Sequence, residues 1–471
     1  MDDRRDTAEI GLIGLGTMGA NLALNIAETG HKIAVFNRTD SRTHAFVEGA
    51  GDLAAMIVPT TDLAAFVAAI ARPRRIVLMV PAGKAVDEQI KALRPHLDPG
   101  DVIVDAGNSD WQDTGRRARA LATEDLDFLG LGVSGGAEGA RNGPSMMAGG
   151  SDRAWSAMKP VLRVIAARFE GAPCVAHLGP EGAGHYVKMV HNGIEYADMQ
   201  MIAEIYGLMR DGMDRTATRI GDSFARWNEG PLASYLVEIT AEVARATDPD
   251  SDTPLLDLIR DSAGQKGTGR WTVIDAQTRA APLPAVEAAV TARVLSGAED
   301  LRQQGAEMFG GTEPLDLSDT DLESALIAGK IIAYAQGFAL LSTASREEDW
   351  SLPLPRIAEI WRAGCIIRSA MLDDMAKALN EAPDAQLAFA PAFADQLRAH
   401  MPALRRTVAA ASAAGLPVPA LASGLGWFDT LRQARGTANL IQGLRDRFGA
   451  HGFERVDRPG ETDLHGPWNA G

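Results

Sequence analysis

The pattern of hydrophobic and polar residues changes once along the chain, near residue 180. Before that point, short apolar runs alternate with amphipathic ones, which is the pattern of strands and helices in a parallel sheet. After it, apolar residues recur at helical spacing over residues 195–210, 231–246, 284–309, 321–345, 355–380, 391–414 and 421–448. We therefore predict an α/β domain with a doubly wound sheet over residues 1–180. A large all-α domain over residues 181–448 and a short C-terminal tail over residues 449–471 follow it.

A glycine pattern opens the first predicted helix. The apolar strand Ile10–Ile13 runs directly into Gly14-Leu15-Gly16-Thr17-Met18-Gly19, and residues 31–36 supply the next strand. In a G-x-G-x-x-G turn the first glycine allows a tight turn, the second lets a pyrophosphate approach the backbone, and the third allows close helix–strand packing. The free N–H groups of the helix face the phosphates. This context predicts a Rossmann-type dinucleotide site, with a glycine-rich turn that binds nothing as the alternative.

The end of the second strand indicates which dinucleotide binds. A site for NAD would place Asp or Glu there to hold the ribose 2′-hydroxyl. This chain has Asn37-Arg38-Thr39 instead, without an acid. A guanidinium can bind a 2′-phosphate through two hydrogen bonds, so we predict NADP. The alternative is that Arg38 is a solvated surface charge.

Polar and small residues follow three further predicted strands. They are Pro81-Ala82-Gly83 after residues 74–80, Asn108 after the strand that begins at Asp101, and Ser134-Gly135-Gly136 at the end of residues 127–136. Ligands of doubly wound sheets bind at the carboxyl ends of strands. We assign Val80, Ala82 and Asn108 to the cofactor site. Ser134 and the glycines after it can offer a hydroxyl and N–H groups to a carboxylate, although a simple turn would also contain glycine.

Residues 181–196, EGAGHYVKMVHNGIEY, carry the chemistry of the second half. Apolar residues lie all round this predicted helix, so it should be buried. Lys188, His191, Asn192 and Glu195 nevertheless share one face, at i, i+3, i+4 and i+7. Burial shifts the pKa of an ammonium down and of a carboxyl up, which suits a proton-transfer pair. A structural salt bridge between Lys188 and Glu195 is an equally supported alternative at this point.

The loop of residues 261–270, DSAGQKGTGR, precedes another predicted helix. It combines three glycines with Lys266 and Thr268. Thr268 is predicted to cap the helix while its N–H groups and Lys266 hold a phosphate. An ordinary capping loop is the alternative.

Composition excludes several classes of protein. A chain of 471 residues should form two or three domains. Its net charge of −16 argues against general nucleic-acid binding, so an anionic substrate would need a local group of cations. The two cysteines suggest neither disulfides nor zinc, and the histidines form no metal motif, so we expect no metal. We find no signal peptide and no run of about 18 uninterrupted apolar residues, and expect a cytoplasmic protein without a membrane span.

Several longer segments resemble one family, the decarboxylating 6-phosphogluconate dehydrogenases of the pentose phosphate pathway. In chain order they are GLIGLGTMGANLALN, FNRT, DAGNS, GVSGGAEGARNGPSMMAGG, GAGHYVKMVHNGIEYADMQ, IRDSAGQKGTG, IIAYAQGF, WRAGCIIRS and ANLIQGLRDRFGAH. The resemblance covers nearly the whole chain, and VKMVHNGIEY and SAGQKGTG are long enough to be specific. It implies an enzyme that uses NADP to oxidise 6-phosphogluconate at C3, releases CO2 and protonates the enediol at C1. Lys188 is implied as base and then acid, and Glu195 as the acid that protonates C1.

The same resemblance implies the substrate contacts. They are Asn108, Ser134, Gly135, Gly136, His191, Asn192 and Tyr196 for the sugar acid, and Lys266, Thr268 and Arg293 for the phosphate, with Arg445 and His451 from the partner subunit. The family is a homodimer whose tail crosses to the other subunit, which would explain Phe453 and Trp468 in a polar tail. This chain departs from the family at Pro81, where many members have Lys. It departs again at His465-Gly466-Pro467-Trp468, where the tail often reads H-T-x-W.

Two other functions remain open at this point. The first is a β-hydroxyacid dehydrogenase that acts on a smaller, unphosphorylated acid without decarboxylation. The long helices and the GQKGTG loop count against it, because a small acid needs no second anion site. The second is a catalytically silent nucleotide-binding protein, which the intact Lys188 and Glu195 disfavour.

Overall fold

The structure is a computed structural model that describes residues 7–383 and 385–469. The chain divides into two compact units, of which the first extends to Ser423 and the second begins at Gly424. The sequence predicts three segments, with borders at residues 180 and 448. This division does not coincide with the two units, and these borders stay predictions.

The first half of the chain forms an eight-stranded sheet and a two-stranded hairpin. The strands are β1 (Ile10–Ile13), β2 (Ile33–Phe36), β3 (Ile57–Thr60), β4 (Arg75–Leu78), β5 (Val102–Asp105), β6 (Asp127–Ser134), β7 (Ser145–Gly150), β8 (Arg168–Phe169), β9 (Ala172–Pro173) and β10 (Val175–His177). The large sheet has the order β10-β7-β6-β5-β4-β1-β2-β3. Every neighbouring pair in it is parallel except β6 and β7. This confirms the predicted doubly wound, mostly parallel sheet.

Helices cover both faces of this sheet. They are α1 (Thr17–Glu28), α2 (Asp40–Glu48), α3 (Leu63–Ala68), α4 (Lys84–Leu93), α5 (Trp111–Ala122), α6 (Gly136–Asn142) and α7 (Asp152–Ile165). Successive strand residues point to opposite faces, so Leu12 belongs to one apolar core and Ile13 to the other. A strand buried on both sides must be apolar throughout, which is why β1, β4 and β5 appear as short continuous runs. Strands β3 and β7 escaped prediction because Pro59 and the two glycines that end β7 are typical of turns.

The rest of the first unit, after β10, is helical in the described residues. Its elements are α8 (Ala183–Gly207), a π-helical turn (Leu208–Gly212), α9 (Ala217–Trp227), α10 (Tyr235–Arg245), α11 (Leu255–Leu258), α12 (Thr268–Thr278), α13 (Pro284–Ser296), α14 (Glu299–Phe309), α15 (Asp319–Glu347), α16 (Leu354–Ile360), α17 (Met371–Glu381) and α18 (Pro391–Ala413). Helix α19 (Pro419–Leu431) runs into the second unit, which also contains α20 (Ala438–Gly449). The predicted α/β-then-all-α order is confirmed.

Three of the predicted long helices are each two helices. Gly297, a poor helix former, separates α13 from α14. Residues 361–370 form an irregular segment between α16 and α17, and residues 432–437 lie between α19 and α20. Helical periodicity continues across such short breaks because both flanking helices bury apolar residues, so the pattern alone does not show them.

Helix α15 is long and apolar enough to cross a membrane by length and composition. However, 89% of its most apolar 18-residue stretch is buried inside the protein. It packs mainly against α18 and α8, and Lys330 lies fully buried at its middle. These contacts are those of a central core helix, which is apolar on all sides because protein surrounds it.

Candidate active site

Glycines bring α8 into close contact with the sheet. A Cβ atom on Gly184 would lie 2.5 Å from the backbone nitrogen of Gly149 on β7. One on Gly132 of β6 would lie 2.4 Å from Cβ of Lys188. Neither position can therefore carry a side chain in this arrangement. The first half of α8 thus lies against the strands whose ends form the predicted ligand edge.

The polar face of α8 is buried and connected by hydrogen bonds. Lys188 is only 6% exposed, and its Nζ lies 3.4 Å from Nδ1 of His191. The other ring nitrogen of His191, Nε2, lies 3.1 Å from the Ser134 hydroxyl at the end of β6. Nδ1 also lies 3.1 Å from Oδ1 of Asn192. The structure thus brings together Lys188, His191, Asn192 and Ser134, which the sequence placed only on two separate elements.

The pKa values of the ionisable groups on this face are shifted in the directions that burial causes. Burial lowers the pKa of Lys188, and the nearby carboxylate of Glu195 opposes that shift. Burial raises the pKa of Glu195, opposed by the positive charges of Lys188 and Arg293. Burial, and then the charge of Lys188, holds the pKa of His191 well below its ordinary value, so the imidazole is neutral. All three groups are therefore biased toward their uncharged forms.

Lys188 and Glu195 do not form a direct ion pair in the described part of the chain. The carboxylate of Glu195 lies 3.8 Å from Nδ1 of His191, whose imidazole is neutral, and the side chain of Glu195 is 20% exposed. Their coupling is electrostatic and acts over a longer distance. The geometry therefore does not favour the structural salt bridge that the spacing allowed. It leaves the amine free to accept a proton and the carboxyl free to donate one.

Helix α12 also packs against α8, close to its polar face. The hydroxyl of Thr272 donates to the backbone oxygen of Met189, 2.8 Å away, and the side-chain amide of Asn192 donates to the hydroxyl of Thr268, 3.0 Å away. A Cβ atom on Gly269 would lie 2.5 Å from the ring of Tyr196, so glycine leaves room for this aromatic side chain. The last part of the loop, at Thr268 and Gly269, thus lies against Asn192 and Tyr196 of α8.

The prediction that Thr268 caps α12 is wrong. Gly267, in a left-handed conformation, is the N-cap residue, and no side chain caps the helix. The Thr268 hydroxyl accepts a hydrogen bond from Asn192 instead, since Thr268 is already inside the helix. Lys266 beside it is exposed, and the guanidinium of Arg293 lies 3.6 Å from the ring centre of Tyr196. The uncapped N–H groups of α12 and these two cations could hold an anion.

A buried carboxylate that the sequence analysis did not single out shapes the end of β5. Asp105 accepts hydrogen bonds from the hydroxyl of Ser109, 2.6 Å away, and from the backbone N–H of Gly107, 3.1 Å away. The guanidinium of Arg117 lies 3.5 Å from the same carboxylate. This network folds the turn so that Asn108 is exposed at the carboxyl edge of the sheet. The alternation of β5 gives no sign of this, because Asp105 reads as the polar residue that ends the strand.

A second missed group is the irregular segment after α16. The ring of Trp361 lies 5.5 Å from that of His191, at a steep angle of 78°. The thiol of Cys365 donates to the backbone oxygen of Trp361, 3.0 Å away. Burial raises the pKa of Cys365 to about 12, opposed by the charge of Lys188. Cys365 is fully buried, and its electrostatic coupling to Lys188 could not be predicted from the sequence.

The dinucleotide turn has the geometry that its glycines suggest. Gly14 has φ +103°, and a Cβ atom on it would lie 2.4 Å from the backbone oxygen of Met79. A Cβ atom on Gly19 would lie 1.9 Å from the oxygen of Gly14, whereas Gly16 faces open space. Gly16 is also the N-cap residue of α1, without a side-chain cap. The turn therefore leaves N–H groups and room for a pyrophosphate.

The end of β2 completes the cofactor edge. The backbone N–H of Leu15 donates to Oδ1 of Asn37, 3.0 Å away, which fixes the glycine turn to the second strand. Arg38 and Thr39 are exposed beside it, and Arg38 has no ion-pair partner among the described residues. A free guanidinium beside a phosphate turn fits the additional phosphate of NADP. Thr17 and Ala82 are also exposed, and Met18 and Val80 are partly buried.

The remaining predicted residues belong to the start of α6 and to the second unit. Gly135 is the N-cap residue of α6 and Gly136 its first residue. Arg445 and His451 lie in the second unit, and both are exposed. Among residues 7–383 and 385–469, no group of three or more His, Cys, Asp or Glu side chains is arranged to hold a metal ion.

Comparisons with known proteins agree with this arrangement. Residues 9–179 match the family profile described as the NAD binding domain of 6-phosphogluconate dehydrogenase, and residues 184–468 match that of the 6-phosphogluconate dehydrogenase C-terminal domain. A Chlamydia pneumoniae protein named 6-phosphogluconate dehydrogenase, decarboxylating, is 46% identical over 467 residues, which cover 98% of this chain and 97% of the relative. A Bacillus subtilis relative, named NADP(+)-dependent and decarboxylating, is 43% identical over 459 residues, covering 96% of this chain and 97% of its own length.

One solved structure extends the comparison to three dimensions. Plasmodium falciparum 6-phosphogluconate dehydrogenase, studied in its apo form, with its cofactor NADP+ and with its substrate 6-phosphogluconate, superimposes with a TM-score of 0.94 at 39% sequence identity. The match covers 98% of this chain and 100% of the other. On these grounds, the chain belongs to the 6-phosphogluconate dehydrogenase family.

Proposed function

We propose that the protein catalyses the NADP-dependent oxidative decarboxylation of 6-phosphogluconate to ribulose 5-phosphate and CO2. The observation that carries this proposal is the pair on α8, an amine and a carboxyl group that burial biases toward their neutral forms. The reaction needs one group that accepts a proton and then returns it, and a second that donates a proton. A neutral Lys and a protonated Glu supply these two functions.

Lys188 has two tasks in this scheme. As a neutral amine it accepts the proton of the C3 hydroxyl while the hydride leaves C3. NADP, when bound, supplies the acceptor of that hydride. The ammonium that results is costly to keep in a buried site, so it returns its proton to the C3 oxygen as CO2 leaves. The bond between C1 and C2 breaks, and its electron pair forms the double bond of an enediol between C2 and C3 of the substrate. These two carbons become C1 and C2 of the product.

Glu195 completes the reaction by protonating C1 of the enediol, which gives ribulose 5-phosphate. Its raised pKa keeps a proton on the carboxyl group at a pH where an ordinary Glu would have lost it. His191, held neutral between Ser134 and Asn192, orients these groups without adding charge. Proton transfer by such positioned side chains typically contributes about 10²–10⁴-fold to the rate.

Two sets of residues hold the substrate in this proposal. Asn108, Ser134, Gly135, Gly136, His191, Asn192 and Tyr196 bind the sugar acid; Lys266, Thr268 and Arg293 bind its phosphate, with Arg445 and His451 of a second copy of the chain. The protein would accordingly act as a homodimer in the cytoplasm. Local cations thus offset the net charge of −16, which would otherwise disfavour an anion.

The cofactor assignment rests on the turn that follows β1 and on Arg38. Gly14, Leu15, Gly16, Thr17, Met18 and Gly19 would hold the pyrophosphate, and Asn37, Arg38 and Thr39 the 2′-phosphate. Val80, Ala82 and Asn108 would lie along the nicotinamide half. The exposed, unpaired state of Arg38 supports NADP over NAD, because a guanidinium has no equivalent partner on a ribose hydroxyl.

A direct assay tests the proposal. Purified protein is mixed with 6-phosphogluconate and either NADP or NAD, while reduced nicotinamide is followed by absorbance and released CO2 is trapped. We expect one CO2 for each NADPH, and faster turnover with NADP. Reduced cofactor without CO2 would indicate a dehydrogenase of the β-hydroxyacid type. NADP binding without turnover would indicate a silent nucleotide-binding protein.

A further inference from the structure

The second unit contains a buried carboxylate in an unfavourable place. Asp446 is fully buried and lies in the last turn of α20. A negative charge there opposes the helix dipole, and a buried charge without partners is costly. Something other than the helix must therefore stabilise this carboxylate.

Four donors from the C-terminal segment surround Asp446. Its Oδ1 accepts hydrogen bonds from the backbone N–H of Gly452, 3.1 Å away, and from Nδ1 of His465, 2.6 Å away. Its Oδ2 accepts from the backbone N–H of Gly466, 3.0 Å away, and from the indole N–H of Trp468, 2.8 Å away. Hydrogen bonds to a carboxylate are about twice as strong as neutral ones. One side chain thus ties residues 465–468 to the turn that ends α20.

The end of α20 and the turn after it carry two proposed phosphate contacts, Arg445 and His451. Ala450 ends α20 in a left-handed conformation, and a Cβ atom on Gly449 would lie 2.6 Å from the ring of His451. The guanidinium of Arg445 donates to Oε1 of Gln442, 3.1 Å away, and the amide of Gln442 donates to the backbone oxygen of Gly452, 2.5 Å away. Gly452 is itself held by Asp446. Arg445 and His451 are both exposed, so packing does little to fix them.

We propose that Asp446 is a positioning residue that holds Arg445 and His451 in place to bind the phosphate of the substrate. It does so by tying residues 465–468 to the turn of residues 449–452, while Gln442 transmits the same constraint to Arg445. The role of HGPW in this chain is then to supply the N–H groups for that carboxylate. The inference rests on the proposed function, because Arg445 and His451 are phosphate contacts only if 6-phosphogluconate is the substrate.

Asp446→Ala in the full-length protein tests the inference. We expect the KM for 6-phosphogluconate to rise by about 10- to 100-fold, since misplaced binding groups lose most of their effect. The kcat and the KM for NADP should stay within about twofold, because neither involves these residues. Asp457→Ala is the matched control: this exposed carboxylate of the same unit pairs with Arg455, and its loss should leave all three constants unchanged.

A second background separates positioning from a general structural effect. In Arg445→Ala/His451→Ala protein, Asp446→Ala should raise the KM by less than about threefold more, because residues that act through one another are not additive. An unchanged KM in the single variant, or an equal rise in both backgrounds, would overturn the inference. Trp468→Phe, which keeps the ring and removes one donor, should raise the KM in the same direction by about threefold. If circular dichroism shows that Asp446→Ala is unfolded, Trp468→Phe is used in its place, both in wild-type protein and in Arg445→Ala/His451→Ala protein.

The outcome also distinguishes this inference from the proposed function. If wild-type protein does not turn over 6-phosphogluconate, the proposed function fails. If Arg445→Ala/His451→Ala raises the KM and Asp446→Ala does not, only the positioning role of Asp446 fails.

Discussion

The first half of α8 and the end of α20 both carry proposed substrate contacts, but they are held in different ways. On α8, Lys188 and His191 are buried, and glycines of the neighbouring strands bring the helix close to the sheet. At the end of α20, Arg445 and His451 are exposed, and hydrogen bonds around one buried carboxylate fix the segment. Burial shifts the pKa of an ionisable group, whereas an exposed arginine stays charged. The first region is therefore suited to proton transfer and the second to holding an anion.

Replacing Lys188 should give the largest effect. Lys188→Ala removes the proposed base and should lower kcat by about 10²–10⁴, the usual contribution of a general acid or base. Binding of NADP and of 6-phosphogluconate, measured by calorimetry, should be largely retained. Lys159→Ala, which removes an exposed Lys from α7, is the control and should change neither. Turnover within threefold of wild type in the Lys188 variant would end its catalytic assignment.

Replacing Arg445 should affect binding and spare turnover. Arg445→Ala should raise the KM for 6-phosphogluconate by about 10- to 100-fold, which corresponds to the loss of a charge-assisted hydrogen bond. The kcat at saturating substrate should be close to that of wild type. Arg455→Ala removes an exposed arginine of the same unit that pairs with Asp457, and steady-state kinetics should show no change. A loss confined to kcat would contradict the division between the two regions.

Arg38 combines exposure with a position at the end of a rigid strand. Arg38→Ala should reduce the preference for NADP over NAD, measured as the ratio of kcat/KM values, by about 10-fold or more. Arg42→Ala, an exposed arginine one turn along on α2, serves as the control. An equal loss with both cofactors would show that the 2′-phosphate is bound elsewhere.

The pH dependence of stability should reveal the cost of burying Lys188. Burial lowers the pKa of Lys188 in the folded state below its ordinary value of 10.5. At pH values between these two, the unfolded chain therefore binds more protons than the folded one. Lys188 therefore destabilises the fold at neutral pH, and this penalty disappears as the pH rises toward 10.5. Lys188→Met should be more stable than wild type at pH 6 to 8 in denaturant unfolding, with a gain that shrinks as the pH rises. A gain that grows with pH would contradict the burial of the amine.

Cys365→Ser should have the smallest effect. The thiol is neutral, since burial raises its pKa to about 12, and it donates a hydrogen bond to the oxygen of Trp361. A serine hydroxyl can make the same bond, so kcat should stay within about threefold. A loss of kcat as large as that of Lys188→Ala would mean that the thiol takes part in proton transfer.

The two regions also differ in what the sequence reveals. The polar face of α8 could be predicted because side-chain directions in a helix repeat every 3.6 residues. Lys188 and Glu195 therefore fall on one face, among apolar neighbours. The Rossmann-type turn was predictable because local steric crowding requires glycine at positions 14 and 19. Both signals come from backbone geometry within a few residues.

Contacts between distant segments give no such signal. Asp105, Cys365 and Asp446 each look ordinary in sequence, since their function depends on partners that come close only in the fold. Thr268 was misassigned for the same reason: local sequence favours a helix cap, but Asn192 of α8 supplies its partner. Arg445 and His451 could be found only through the family resemblance, because exposed cations lack any periodic pattern.

The ionisation of Lys188 tests the central claim most directly. Nitrogen NMR of ¹⁵N-lysine-labelled protein can follow the Nζ signals against pH, and Lys188→Met identifies the one that belongs to Lys188. The account predicts that this amine titrates clearly below the ordinary pKa of 10.5, as burial requires. A titration at or above 10.5 would show that the amine is charged at working pH and would contradict its role as the base.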